Sequence, residues 1–127
     1  MSAQQGEAQK TCYFLDLNTP SERLEPCEYI NRQFVEEGDP VEKAALFISS
    51  EDGRFMSGLW SVTPYKEFMP SYPYDEVFTV IEGRATLTSK DGTSHNLGPG
   101  DVFAIQKGWV GWWHVTEPLK KHFTISM

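Results

Sequence analysis

The sequence predicts an all-β fold, and three observations carry that prediction. Ten glycines and eight prolines in 127 residues punctuate the chain at short intervals, as turns do. Beyond Pro40, apolar runs of five to eight residues alternate with these turn signals, the spacing of a sandwich or barrel of short strands. Within several runs, apolar and polar side chains alternate with a period of two, because successive residues of a strand point to opposite sides.

The elements follow in order. The opening MSAQQGEAQK is polar and expected to fray; with no apolar core, it predicts no secretory signal. Residues 11–42 are broken by Pro20, Pro26 and Pro40 and predict no long helix. Residues 1–37 thus form an irregular arm and residues 38–127 a barrel, a single domain overall. Strands are predicted at residues 43–48, 55–62, 75–81, 84–88, 93–97, 101–105, 109–115 and 119–126. Between them Asp52-Gly53, Glu82-Gly83, Asp91-Gly92, Gly98-Pro99-Gly100 and Lys107-Gly108 supply the positive or preset φ of hairpin connections.

Alternation also assigns faces. In 55–62, Met56, Gly58, Trp60 and Val62 share a face taken as inward, against Ser57 and Ser61. In 119–126, Leu119, Phe123 and Ile125 share a face with Lys121, opposite Lys120, His122, Thr124 and Ser126, so one lysine is set on an apolar face. Residues 75–81 are apolar on both sides, with Glu76, Phe78 and Val80 against Val77, Thr79 and Ile81. A strand covered on both faces predicts a second sheet or a partner subunit behind it.

Composition narrows the function classes. At 39% hydrophobic and 23% charged residues the chain can bury a core. Its formal net charge of −7, with no basic cluster beyond the pair Lys120 and Lys121, argues against a nucleic-acid partner. The longest apolar runs, 44–48 and 109–113, fall far short of the roughly 20 residues that span a bilayer, so no membrane partner is expected. Cys12 and Cys27 show no C-x-x-C spacing, and plain thiols in a reducing cytoplasm are expected.

Two segments carry a family resemblance. The run Tyr74-Asp75-Glu76-Val77-Phe78-Thr79-Val80-Ile81-Glu82-Gly83 resembles the end of the first cupin motif. Gly100-Asp101-Val102-Phe103-Ala104-Ile105-Gln106-Lys107-Gly108 resembles the second, with Gln106 where proline is usual. Together with GDP at 38–40, SGLWSVTP at 57–64, GWVGWWHV at 108–115 and EPLKKH at 117–122, the chain is similar to small single-domain cupins of the DUF861 or cupin_3 type. That type is found among ethanolamine-utilisation accessory proteins and ureidoglycine aminohydrolases. The resemblance implies an RmlC-like jelly-roll barrel of two antiparallel sheets around a ligand cavity. It also implies pairing as a homodimer, for which the two-sided strand at 77–81 gives a motive, with the arm lying across the partner.

The resemblance implies a metal held by two histidines of an H-x-H, the glutamate and a further histidine, a donor set suited to borderline divalent ions. In this chain the glutamate remains as Glu76. The H-x-H positions fall on Pro70 and Tyr72, or with a longer spacer on Met69 and Ser71, and the last histidine falls on Gly111. His114 and His122 alternate with inward residues and should face out, and His95 lies in a polar strand. No conventional metal centre and no cofactor are therefore expected, and no Gly-rich phosphate loop is present for a nucleotide.

The inward faces collect Trp60, Tyr72, Glu76, Phe78, Trp113 and Lys121, with Tyr74 near the mouth and Trp109 and Trp112 at a rim or an interface. An aromatic-lined cavity with a few polar groups suits a small-molecule ligand. Glu76, as acid or base, and Lys121 are the candidate catalytic residues. The alternative for them is a structural ion pair. Trp60, Tyr72, Tyr74, Phe78 and Trp113 are the candidate ligand-binding residues, with core packing the alternative for the tryptophans. The function expected is binding or transformation of a small polar metabolite; the alternative is an accessory module without chemistry.

Overall fold

The structure, a computed structural model, describes residues 10–127. The terminus expected to fray lies, apart from Lys10, outside the described residues. Among these, nine strands run as β1 (Glu25–Pro26), β2 (Val35–Glu37), β3 (Glu42–Ser49), β4 (Phe55–Val62), β5 (Tyr65–Met69), β6 (Asp75–Ser89), β7 (Ser94–Leu97), β8 (Val102–Ile105) and β9 (Gly111–Ser126). Two 3₁₀ turns, Ser21–Arg23 and Arg32–Phe34, interrupt the arm. No helix among the described residues is long and apolar enough to cross a membrane.

All strand pairs are antiparallel, and two long strands hold the sandwich together. The first half of β6 pairs with the second half of β9, from Asp75↔Ser126 to Glu82↔Lys120, in a layer that continues through β4, β3 and β1 on one side and β8 on the other. The second half of β6 pairs with the first half of β9, from Arg84↔Glu117 to Ser89↔Gly111. That layer continues through β5 and β2, and through β7. The two layers face each other across a core of Trp60, Val62, Phe78, Val80, Leu87, Trp113, Val115, Leu119, Phe123 and neighbours.

This joins segments that the sequence separates. Glu82-Gly83 reads as a hairpin turn, yet β6 runs straight through it, with register shifts at Val80, Glu82 and Arg84. Gly83 sits at φ +88°, and a Cβ there would come within 2.0 Å of the Pro118 carbonyl oxygen. Only glycine allows that approach, so the pair forms a bulge at which the ribbon bends from one layer into the other. Likewise residues 109–115 and 119–126 merge into β9 across Pro118.

The faces largely follow the alternation. Trp60 and Val62 are buried in the core and Met56 packs against it. On the opposite face of β4, however, Leu59 is fully buried. The arm is tied down on either side of it: Tyr13 Oη donates to the Phe47 carbonyl on β3, and Lys120 Nζ on β9 donates to the Thr19 carbonyl at 2.7 Å. The described part of the arm therefore lies on its own chain. The outer side of β6 is different, since Val77 is 52% exposed and Val102 beside it 66%. A second sheet covers the Glu76 face, and nothing among the described residues covers Val77. Both cysteines are free.

Candidate functional site

A cavity of about 430 Å3 opens at the end of the sandwich, between Met56, Phe123 and Ile125 of one layer and Glu67, Phe68 and Met69 of the other. The arm residues Tyr29, Ile30, Asn31 and Phe34 and the segment 70–74 complete its wall. Its lining is mostly apolar, with the polar atoms confined to a few places.

The chief of these is the pair Glu76 and Lys121. Adjacent strands bring them together: Glu76 lies opposite Ile125, and Lys121 lies opposite Val80 and Trp60. The lysine reaches along the strand so that Nζ stands 2.7 Å from Glu76 Oε2, with both side chains almost wholly buried. The other carboxylate oxygen accepts a short hydrogen bond from Tyr72 Oη. The ammonium is also enclosed by ring faces, 4.5 Å from the centre of Phe78, 4.9 Å from Trp113 and 5.0 Å from Trp60. A carboxylate and three π-faces replace the water that burial removes, so the charge is held at low cost. Lys121 Nζ is thus held in one place by these contacts.

Of the expected site residues, Trp60, Tyr72, Tyr74, Glu76, Trp113 and Lys121 all line the cavity. Phe78 does not: it is 1% exposed and packs against the ammonium as part of its cage. Trp109 packs edge-on against Tyr72 and donates to Ser89, while Trp112 packs on Phe68 and donates to Glu36. Both brace the wall from behind. None of the three histidines lines this cavity. His95 is exposed beside Phe103, and His122 is hydrogen-bonded to Ser57 on the outer face.

Two buried carboxylates escape the sequence reading. Glu42 accepts from the Tyr29 and Ile30 amides and from Trp60 Nε1, each at 3.0 Å, and from the Cys27 thiol. It ties the arm to β3 and fixes the Trp60 ring. Glu67, 4% exposed, accepts from Tyr65 Oη at 3.1 Å and from the Asn31 amide at 3.3 Å, and it lines the cavity. The run Tyr65-Lys66-Glu67-Phe68-Met69 is short and bounded by Pro64 and Pro70. Nothing in it shows that β5 turns its glutamate inward.

Burial governs the protonation states. It raises the phenols of Tyr72 and Tyr74, with the Glu76 charge adding to the effect, so both remain hydrogen-bond donors. Burial likewise raises the Glu67 carboxyl, against the lowering effect of its bonds to Tyr65 and Asn31.

The donor set does not fit the metal that a cupin resemblance implies. Pro70, Met69, Ser71 and Gly111 provide no imidazole, and the Tyr72 hydroxyl is committed to Glu76. A cation approaching Glu76 Oε2 would meet the Lys121 ammonium already 2.7 Å from it. Among the described residues no three His, Cys, Asp or Glu side chains converge.

Comparison with known proteins agrees with this architecture. No functionally curated protein matches the sequence. Among solved structures, a DUF861-family protein of unknown function from Pseudomonas syringae pv. tomato superposes with a TM-score of 0.79 at 22% identity, over 88% of this chain and 46% of that one. The chain therefore spans about half the length of that relative. The EutQ protein of Clostridium difficile matches with a TM-score of 0.59 at 19% identity, over 71% of this chain and 75% of that one. Ectoine synthase from P. lautus matches with a TM-score of 0.57 at 15% identity, over 67% and 63%. At these identities the likeness is one of fold, a jelly-roll barrel. The EutQ-like cupin domain model matches residues 49–123, more than half of the sequence. The chain belongs to the family of EutQ-like cupin domains.

Proposed function

We propose that this cupin binds a small metabolite in the cavity between its layers, without a conventional cupin metal centre. The ligand's apolar body packs among Phe34, Met56, Phe68 and Met69, and a polar group reaches Glu76, Tyr72 and Lys121. The observation that carries this reading is the cavity itself. At about 430 Å3 it has the size of small-molecule sites, and a charged, hydrogen-bonded cluster stands in its otherwise apolar wall. A purely structural ion pair would need no open space beside it. The test is a metabolite screen by thermal shift on the wild type and on Met56→Trp, which fills the cavity from an edge position. Ligands that stabilise the wild type should lose their effect in the variant, and ligands that stabilise both equally would sink the proposal.

A second reading adds chemistry. The Tyr72 hydroxyl and the Glu76 carboxylate are directly hydrogen-bonded, and such a pair can pass a proton to or from a bound substrate. Glu76→Gln separates the two readings: turnover disappears if the pair is catalytic, whereas binding alone changes only in affinity. The uncovered strip of Val77, Ala104 and Val102 supports homodimer formation through the outer face of β6 and β8. Light scattering giving a species of about twice 14.5 kDa is the expected result.

A further inference from the structure

We infer that the ligand of this cavity carries an organic cation, an ammonium or amidinium group on an apolar body, and that Glu67 is the residue that receives it. The inference rests on the cavity being a ligand site, and it names the chemical class that the site selects.

The wall holds the charges of Glu76, Lys121 and Glu67, and the first two neutralise each other at 2.7 Å. Glu67 is different. It is as deeply buried as Glu76, yet among the described residues no lysine or arginine nitrogen lies within ion-pair distance of it. Arg32 is paired with Asp39 and bonded to the Pro40 carbonyl. A carboxylate offers about four acceptor positions, and Glu67 uses two, on Tyr65 Oη and the Asn31 amide. About two positions remain, and the residue lines the cavity. Behind it Glu42, 3% exposed, adds a further buried carboxylate whose partners are all neutral.

An anion entering this space meets a buried carboxylate that has no ion-pair partner among the described residues, and Coulomb repulsion between groups removed from water is strong. A cation meets attraction, and in direct contact it relieves a burial cost that the more distant Arg32 charge and the bonds from Tyr65 and Asn31 offset only in part. The walls suit it as well. Trp113 stands directly across the ladder from Glu67, and Tyr72 and Tyr74 line the same space. One of these rings already holds an ammonium, since Trp113, with Trp60 and Phe78, encloses that of Lys121. Glu42 offers no such docking point, because its oxygens are filled by amide, indole and thiol donors.

Three probes with one apolar body and three charges test this: 2-phenylethylamine, 2-phenylethanol and 3-phenylpropanoate, titrated by calorimetry into the wild type and Glu67→Gln. The amine should bind the wild type at least tenfold more tightly than the alcohol, and the carboxylate most weakly. E67Q should bring the amine to the level of the alcohol and leave the alcohol unchanged. If the alcohol binds and the amine binds no better, the cation inference falls while the ligand-site reading stands. If none of the three binds at millimolar concentration, both fall. A tenfold preference that survives in E67Q overturns the role of Glu67. Should E67Q fail to fold, the order of the three probes on the wild type still decides whether the cavity prefers a cation.

Discussion

Removing Lys121 should cost this protein far more stability than removing the charge of Glu76, although the two form one ion pair. Lys121→Met preserves length and apolar bulk but leaves the Glu76 carboxylate, 3% exposed, with a single donor, the Tyr72 hydroxyl. An uncompensated buried charge of this kind costs about 3–5 kcal/mol. Glu76→Gln leaves the ammonium with a carboxamide oxygen to bond and three ring faces at 4.5–5.0 Å. Its cost should be about 1–3 kcal/mol. The double variant removes both charges, and buried pairs replaced together are often near neutral. It should therefore be more stable than Lys121→Met alone, with a coupling of about 2 kcal/mol or more. Urea unfolding of the four proteins at neutral pH measures all three values. Costs that add within about 0.5 kcal/mol, or a Lys121→Met variant as stable as the wild type, would refute the picture of a fixed, mutually dependent pair.

Three other outcomes are expected. Gly83→Ala combines left-handed backbone with a Cβ 2.0 Å from the Pro118 carbonyl oxygen and should cost at least about 2 kcal/mol. Gly92→Ala, at φ +95° with nothing within 4 Å of the added Cβ, should cost about 1 kcal/mol, and equal thermal shifts would argue against the close approach at the bend. With a colorimetric disulfide reagent one thiol should react quickly: Cys12 is exposed, whereas burial and the neighbouring Glu42 push the Cys27 thiol up to about 12, and two fast thiols would contradict this. Finally, burial lowers the His122 imidazole from 6.5, so the unfolded chain takes up its proton more readily than the folded one. The stability linked to this group is complete above pH 6.5 and is lost as pH falls through the lowered value. His122→Gln, which can still bond Ser57, should flatten that part of the urea-midpoint profile, and an unchanged profile would exclude the histidine as its cause.

Much of the barrel is readable locally, because period-two alternation reports which side of a strand is buried. That rule alone puts Lys121 on the face of Leu119, Phe123 and Ile125, and Trp60 on the face of Val62, where the structure has them. It fails where one residue serves two roles. Gly83 has the sequence of a turn and the conformation of a bulge, and only the Pro118 carbonyl packed against it decides between them. Leu59 alternates as an outward residue but is fully buried, on a strand to whose neighbours the arm is bonded through Tyr13 and Thr19. Glu67 on β5 and Glu42 on β3 look like ordinary surface acids, since their neighbours in sequence give no sign of the amides and indole that come to them from elsewhere.

The all-β class, the family, the main strands and six of the residues that line the cavity can be read along the chain, because each of these depends on periodicity or on motif spacing. What those residues do together comes from the folded chain. Folding set Phe78 beneath the Lys121 ammonium rather than in the open wall, joined Glu76 to both Tyr72 and Lys121, and brought to the cavity a buried carboxylate, Glu67, with no ion-pair partner among the described residues. Distance in space, burial and the pairing of charges arise only when separate strands meet, and no local pattern encodes them.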